Sequence, residues 1–147
     1  EEGARKRATA AALRNHRAYP DNVVNNLQLG RLYMYRRNYK ESERFFNMVI
    51  STSPENRRAH YYLTRMLVRQ KRLADAEQHV NKYLAFKLTK RERANALLLK
   101  SQIYYRRKDW GTAEALARDA WRVGKLKRAK NRLAKISKAR AREADKK

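Results

Sequence analysis

Basic side chains recur in three short clusters of the sequence, and they are the residues best suited to recognising a ligand. Each cluster places two or three Arg and Lys side chains within four positions. Guanidinium and ammonium groups donate hydrogen bonds to phosphates and carboxylates, so we expect an anionic partner. These turn cations are Arg36, Arg37, Arg69, Lys71, Arg72, Arg106, Arg107 and Lys108.

The whole chain is strongly basic, with 38 Lys and Arg against 14 Asp and Glu, and a formal net charge of +24. The excess is largest at the end, where residues 121–147 hold twelve basic and two acidic side chains. Such charge destabilises a compact chain by self-repulsion, which a polyanion would relieve. Arg outnumbers Lys by 23 to 15, which favours bidentate contact with phosphate. A basic surface without a specific partner is the alternative.

Residues for catalysis or metal binding do not form a recognisable pattern. Cysteine is absent, which excludes disulfides and thiolate metal sites. The histidines His16, His60 and His79 are scattered, and no known catalytic motif accompanies them. We expect His60 to be a buried structural residue. We therefore expect no catalytic residue, no metal, no cofactor and no small-molecule substrate. No apolar run approaches the ~18 residues of a membrane span, so we expect no transmembrane segment.

The clusters belong to a repeated unit. Residues 31–46 (RLYMYRRNYKESERFF) and 102–117 (QIYYRRKDWGTAEALA) align without a gap, which pairs Tyr33 with Tyr104 and Tyr39 with Trp110. Apolar residues recur at steps of three and four, which indicates helices. Small residues at Ser42, Ala76 and Ala113 predict close approach of paired helices.

The spacing resembles that of the tetratricopeptide repeat family. The first copy has Leu29, Gly30, Tyr33, Ser42, Phe46 and Pro54 at the family positions, whereas Asn26 stands where Trp is usual. Two further copies follow at spacings of 34 and 37 residues. They depart from the pattern at His60, Thr64, Lys100 and Ser101. The resemblance covers residues 23–124 and implies an all-α fold, an α-solenoid of helical hairpins.

Three segments follow from this pattern. Residues 1–19 are predicted to be an N-terminal helix of an incomplete repeat, residues 20–124 three repeats, and residues 125–147 a basic C-terminal helix and tail. Leu126, Ala129, Leu133 and Ile136 form a narrow apolar stripe, which suits a capping helix. A disordered basic tail is the alternative. The basic residues that we assign to this helix are Lys125, Lys127, Arg128, Lys130, Arg132, Lys135 and Lys138.

The resemblance also implies a concave groove lined by the first helix of each repeat. The groove candidates are Arg31, Tyr35, Tyr61, Arg65 and Gln102. Cations beside aromatic rings suit an acidic peptide or single-stranded RNA. Packing of Tyr35 and Tyr61 on the next helix is the alternative. Because repeats stack in one dimension, the turn cations are expected to form a basic ridge.

The leading hypothesis is a non-enzymatic scaffold of a ribonucleoprotein. It would contact the phosphates of an RNA, which we expect to be ribosomal, and protein subunits of the same assembly. By analogy with other helical-repeat proteins, we expect an intracellular assembly such as a mitochondrial ribosome. One alternative is an adaptor whose groove binds an acidic peptide or protein segment. A second is binding to an anionic polysaccharide or membrane surface.

Overall fold

The computed structural model describes residues 2–145, and that range contains eight helices and no strand. The helices are α1 (Glu2–Ala18), α2 (Val23–Tyr35), α3 (Tyr39–Thr52), α4 (Arg57–Arg69), α5 (Leu73–Ala85), α6 (Lys90–Arg106), α7 (Trp110–Gly124) and α8 (Lys127–Ala144). The predicted all-α fold is therefore confirmed. The chain divides into two compact units, Glu1–Met66 and Leu67–Lys147, with the boundary inside α4.

Polar side chains fix where most of these helices begin. Asn22 and Asn38 accept hydrogen bonds from the backbone amides of Asn25 and Glu41, and Asn56 does the same for Ala59. Such caps satisfy amides that have no partner inside the helix. At Asn22 and Asn56 the asparagine supplies the cap, and the acidic residue directly before it does not.

Unit 1 is held together by α1, α2 and α3. Ala12, Leu29 and Phe45 form its buried cluster, with Leu13, Leu32, Tyr33 and Met48 packed around them. Gly30 lets the paired helices approach closely, because a Cβ atom there would lie 2.5 Å from the ring of Phe46. The Ser42 hydroxyl donates to the Gly30 carbonyl at 2.8 Å across the same contact.

Unit 2 contains the hairpin of α6 and α7, with α8 packed against both helices. Ala94, Ala120 and Ala129 form one buried cluster. Ala113, Ala117 and Ile136 form another, beside Tyr104, Tyr105, Trp110 and Leu133. The predicted apolar stripe of the C-terminal helix thus lies on α6 and α7, and the basic side chains of α8 occupy the rest of its surface.

Candidate binding surfaces

The turn cations lie at helix ends that share one backbone geometry. At the end of α2, the amide of Asn38 donates to the Tyr33 carbonyl at 3.0 Å and the amide of Arg37 donates to the Met34 carbonyl at 3.1 Å. The ends of α4 and α6 repeat this pair of bonds, which defines a Schellman motif. The left-handed residue is Arg37, Lys71 or Lys108, with φ of 60°, 63° and 62°. Glycine is the usual residue there, so the sequence carried no signal of this geometry.

Each of the three left-handed cations costs on the order of 1 kcal/mol of backbone strain. The positive charge is favourable at a helix C-terminus, which recovers part of that cost. All eight turn cations are exposed, so none of them belongs to the buried core. Their recurrence therefore has both an electrostatic explanation and a functional one.

Ion pairs divide the turn cations into two groups. Arg72 contacts Asp75 at 2.8 Å, Arg107 contacts Glu77 at 2.6 Å, and Lys108 contacts Glu143 at 3.3 Å. These three cations therefore form ion pairs with acids of the protein itself. Within residues 2–145 the structure shows no ion pair for the other five, which are Arg36, Arg37, Arg69, Lys71 and Arg106.

Glu77 links two helices of unit 2. Its carboxylate accepts hydrogen bonds from the Tyr104 hydroxyl and from Arg107, so it joins α5 to α6. The Tyr104 bond and the Arg107 charge lower the pKa of Glu77, although burial opposes the shift. The same bond raises the pKa of Tyr104. Arg107 is thus a structural tether as well as a predicted ligand contact.

Two of the predicted groove residues of unit 1, Arg31 and Tyr35, line a shallow pocket of about 280 Å³. Arg31 and Tyr35 are exposed there beside Val24 and Arg58, and Val24 is 76% exposed. Sequence reasoning missed Val24 and Arg58 because neither occupies a groove position that the repeat pattern specified. The pocket combines apolar surface with two guanidinium groups.

Arginine side chains stack on two adjacent tyrosines in unit 1. The Arg31 guanidinium lies 5.1 Å from the ring centroid of Tyr62, and that of Arg65 lies 5.7 Å from the ring of Tyr61. Tyr62 also stacks on buried Phe46. Tyr61 and Arg65 are half-buried, so part of their surface is used in packing. Gln102 lies on α6 in unit 2 and is half-buried.

The basic residues assigned to the C-terminal helix have three kinds of surroundings. Lys125, which precedes α8, and Lys130 lie 5.5 and 4.4 Å from the ring centroid of Trp121. Arg132 and Lys135 lie beside Tyr105, and Arg128 donates to the Asn95 side chain at 2.6 Å. Exposed Lys127 and Lys138 show no ion pair within the part of the chain that the structure describes.

The described residues contain no cluster of His, Cys, Asp and Glu that could hold a metal ion. His60 is buried, as predicted, and its Nε2 donates to the Pro54 carbonyl at 2.9 Å. No helix between residues 2 and 145 is long and apolar enough to cross a membrane.

Comparisons with known proteins agree with this geometry. Residues 27–88 match the family model described as tetratricopeptide repeat. A crystal structure of MamA has the same fold with a TM-score of 0.83 and 16% sequence identity, over 95% of this chain and 81% of that chain. A second MamA crystal structure has a TM-score of 0.81 at 16% identity, over 95% of this chain and 75% of that one. No curated protein matches the chain in sequence.

The predicted solenoid of helical hairpins is confirmed by this likeness of fold. Tetratricopeptide repeats indicate a scaffold for protein–protein interaction. The matched segment starts in α2 and ends just beyond α5, so it contains two of the three basic turns and all of the pocket lining of unit 1 except Val24. Residues 27–88 of this chain therefore match the tetratricopeptide repeat family.

Proposed function

We propose that the protein is a non-enzymatic scaffold that binds RNA phosphates through its basic surface and holds protein neighbours within a ribonucleoprotein. A ribosome, including a mitochondrial one, is the assembly to test first. The observation that carries the proposal is the composition of α8, in which eight cations accompany a single acid, Glu143. The apolar face of this helix is used for packing, and its exposed Lys127, Lys138 and Arg142 show no ion pair within the described residues.

Backbone contact rather than base reading is the mode that this surface favours. Phosphate contacts come from flexible Lys and Arg side chains, whereas sequence reading needs side chains placed against base edges. The affinity for RNA should therefore vary little with sequence and fall steeply with salt. For a single strand, the slope of log K against log salt is about −0.7 for each phosphate neutralised.

The test compares two triple variants that remove the same charge. Lys127→Gln/Lys138→Gln/Arg142→Gln removes exposed cations of α8 without disturbing any ion pair in the described range. Arg44→Gln/Arg118→Gln/Arg122→Gln removes cations that already have partners, at 2.9, 2.5 and 2.9 Å from their carboxylates. Affinity for a single-stranded RNA is measured by fluorescence anisotropy at several salt concentrations.

We expect the α8 variant to bind RNA at least ~10-fold more weakly and to lose about two units of salt slope, because three phosphate contacts disappear. The control should change affinity by less than about 3-fold. Equal losses in the two variants would overturn the role of α8. Equal binding of heparin or anionic vesicles would overturn the preference for RNA.

Sedimentation of the native protein tests the assembly. Cosedimentation with a large particle before RNase treatment, and its loss afterwards, would support a ribonucleoprotein. Sedimentation that RNase leaves unchanged would contradict it.

A second candidate function rests on the pocket of unit 1. Exposed Val24 and Tyr35 beside Arg31 and Arg58 suit a peptide that alternates apolar and acidic residues. We expect calorimetry to show binding of a Leu- and Glu-rich peptide that Arg31→Gln and Tyr35→Ser weaken at least ~5-fold, whereas Arg44→Gln does not. Binding that ignores these two substitutions would contradict the adaptor function.

A further inference from the structure

Two cations of α8 lie over one aromatic ring of α6, and the charge of a third, Arg106, acts on one of them. The Arg132 guanidinium carbon and the Lys135 ammonium nitrogen lie 5.7 and 5.6 Å from the ring centroid of Tyr105. Arg106 follows Tyr105 directly at the end of α6. Trp110 packs edge-on against the same ring, with centroids 5.3 Å apart, and supports it from α7.

This cluster lacks a carboxylate. Within residues 2–145, Arg106, Arg132 and Lys135 show no ion pair and no hydrogen bond to an acid. Cations nearby are treated differently, since Arg107 contacts Glu77, Lys108 contacts Glu143, and Arg140 lies 3.8 Å from Glu114. The absence of an acid is thus a local property of this cluster.

Arg132 is half-buried in this cluster. Burial lowers its pKa and the charge of Arg106 lowers it further, while Tyr105 acts in the opposite direction. A guanidinium nevertheless stays protonated at any physiological pH. The folded protein therefore keeps a half-buried positive charge next to another one, which costs free energy until an anion arrives.

We propose that Arg106, Arg132 and Lys135 form a binding site for one phosphate group of an RNA backbone, with the ring of Tyr105 as its wall. The two guanidinium groups supply paired N–H donors that match phosphate oxygens, and Lys135 adds a third charge. The RNA source of the phosphate rests on the proposed function. The site itself rests on the geometry of α6 and α8.

The first experiment uses stability, which separates a binding role from a structural one. Without ligand, Arg132→Gln should keep or raise the melting temperature, because it removes a half-buried charge beside Arg106. Millimolar pyrophosphate should raise the melting temperature of the wild type by about 2–4 °C and that of the variant by much less. A clear drop in melting temperature for Arg132→Gln without ligand, or equal pyrophosphate effects, would overturn the site.

The second experiment measures single-stranded RNA binding by anisotropy. Arg132→Gln and Arg106→Gln should each weaken binding by about 10-fold and reduce the salt slope by about 0.7. Arg122→Gln is the matched control, since it removes one exposed cation that is already paired with Asp119, and it should cost less than about 2-fold. Arg132→Lys should recover part of the loss because it restores charge without the planar fork. Losses no larger than that of the control would overturn the site.

Failure of the site and failure of the proposed function give different results. If wild-type protein binds RNA and Arg132→Gln matches the control, the site is wrong and the RNA scaffold stands. If pyrophosphate stabilises the wild type through Arg132 but RNA does not bind, the scaffold function is wrong. Vesicles containing phosphatidic acid form the third arm, and Arg132-dependent binding to them without RNA binding would overturn RNA as the source.

Discussion

Hairpins α2–α3 and α6–α7 place cations at equivalent turn positions but bond them differently. In the first, Arg36 and Arg37 are exposed and the described residues offer them no ion pair. In the second, the equivalent Arg107 and Lys108 contact Glu77 and Glu143. The repeat fixes where each cation stands, whereas the neighbouring helices decide whether it is available to a ligand.

The same two hairpins differ inside their helix contact. In α2–α3 the Ser42 hydroxyl donates to the carbonyl of Gly30, and in α6–α7 the Ser101 hydroxyl donates to the carbonyl of Ala113 at 2.7 Å. Gly30 is equivalent to Ser101, and Ser42 to Ala113, so the hydroxyl has changed helices. Close approach needs two small residues and one hydrogen bond, and it does not matter which helix supplies the serine.

The largest effect should come from filling the small position of the first hairpin. Gly30→Ala places a methyl group against the ring of Phe46, which is stacked on Tyr62 and has little room to move. We expect the free energy of unfolding to fall by about 2 kcal/mol, because overpacking exceeds the gain in helix propensity. Urea denaturation measures this loss.

Gly111→Ala is the matched control in the second hairpin. The nearest atom to a Cβ there is the Asp109 Oδ1 at 3.9 Å, an ordinary van der Waals distance, so the same methyl group fits without a clash. The free energy of unfolding should rise by up to about 0.5 kcal/mol. Loss of stability in both variants would contradict the assignment of Gly30 as the crowded position.

The second-largest change in stability is expected at Glu77, which joins α5 to α6. Glu77→Gln should lower the free energy of unfolding by about 1–1.5 kcal/mol at pH 7, since it weakens charge-assisted bonds from Tyr104 and Arg107 that are partly exposed. Arg36→Gln, at the untethered turn, should change it by less than about 0.3 kcal/mol.

The pH dependence of this loss has a definite sign. The folded pKa of Glu77 lies below its ordinary value, so its contribution is complete above the unfolded pKa. It disappears as the pH falls through the lower, folded value. Urea midpoints of wild type and Glu77→Gln should therefore converge in acid, and a constant gap down to low pH would contradict this role.

The two serines should be nearly equivalent. Ser42→Ala and Ser101→Ala each remove one buried hydrogen bond and leave the chain otherwise unchanged, so we expect about 1 kcal/mol of destabilisation for each. Thermal and urea unfolding of the two variants tests this. A large difference between them would show that the hairpins do not use their small positions in the same way.

The smallest effect separates the left-handed residues of the two turns. Arg37→Gly relieves a positive φ of 60° and should raise the free energy of unfolding by about 0.5 kcal/mol after the entropy cost of glycine. Lys108→Gly relieves the same strain but loses the contact with Glu143, so its net change should be close to zero. Equal gains in the two variants would show that the Lys108 ion pair is worth nothing.

Repeat spacing alone was sufficient to predict the helical class and the hairpin unit. Ser42, Phe46 and Pro54 occupy positions set by local periodicity and by close approach of neighbouring helices, which a single sequence records well. The position of α8 was also predictable, because its apolar residues step by three and four. The RNA contacts, the segment boundaries and the roles of the groove residues remain predictions.

The ion pairs of the turn cations could not be predicted from the sequence. Glu77 lies 30 positions from Arg107, and Glu143 lies 35 from Lys108, so no local pattern joins them. The left-handed turns were equally hidden, because Arg and Lys replace the glycine that would have marked them. Tyr62 was missed because its contacts with Arg31 and Phe46 join three different helices.

The sequence by itself determined that the chain is a basic, all-helical repeat protein with cations at each hairpin turn. Periodicity and composition are local properties, and they suffice for that. Only the tertiary structure decided which cations form ion pairs with acids of the same chain and which show no ion pair within the described residues. The tether at Glu77 and the acid-free cluster around Tyr105 both depend on residues brought together from distant helices, because charge interactions act through space and not along the chain.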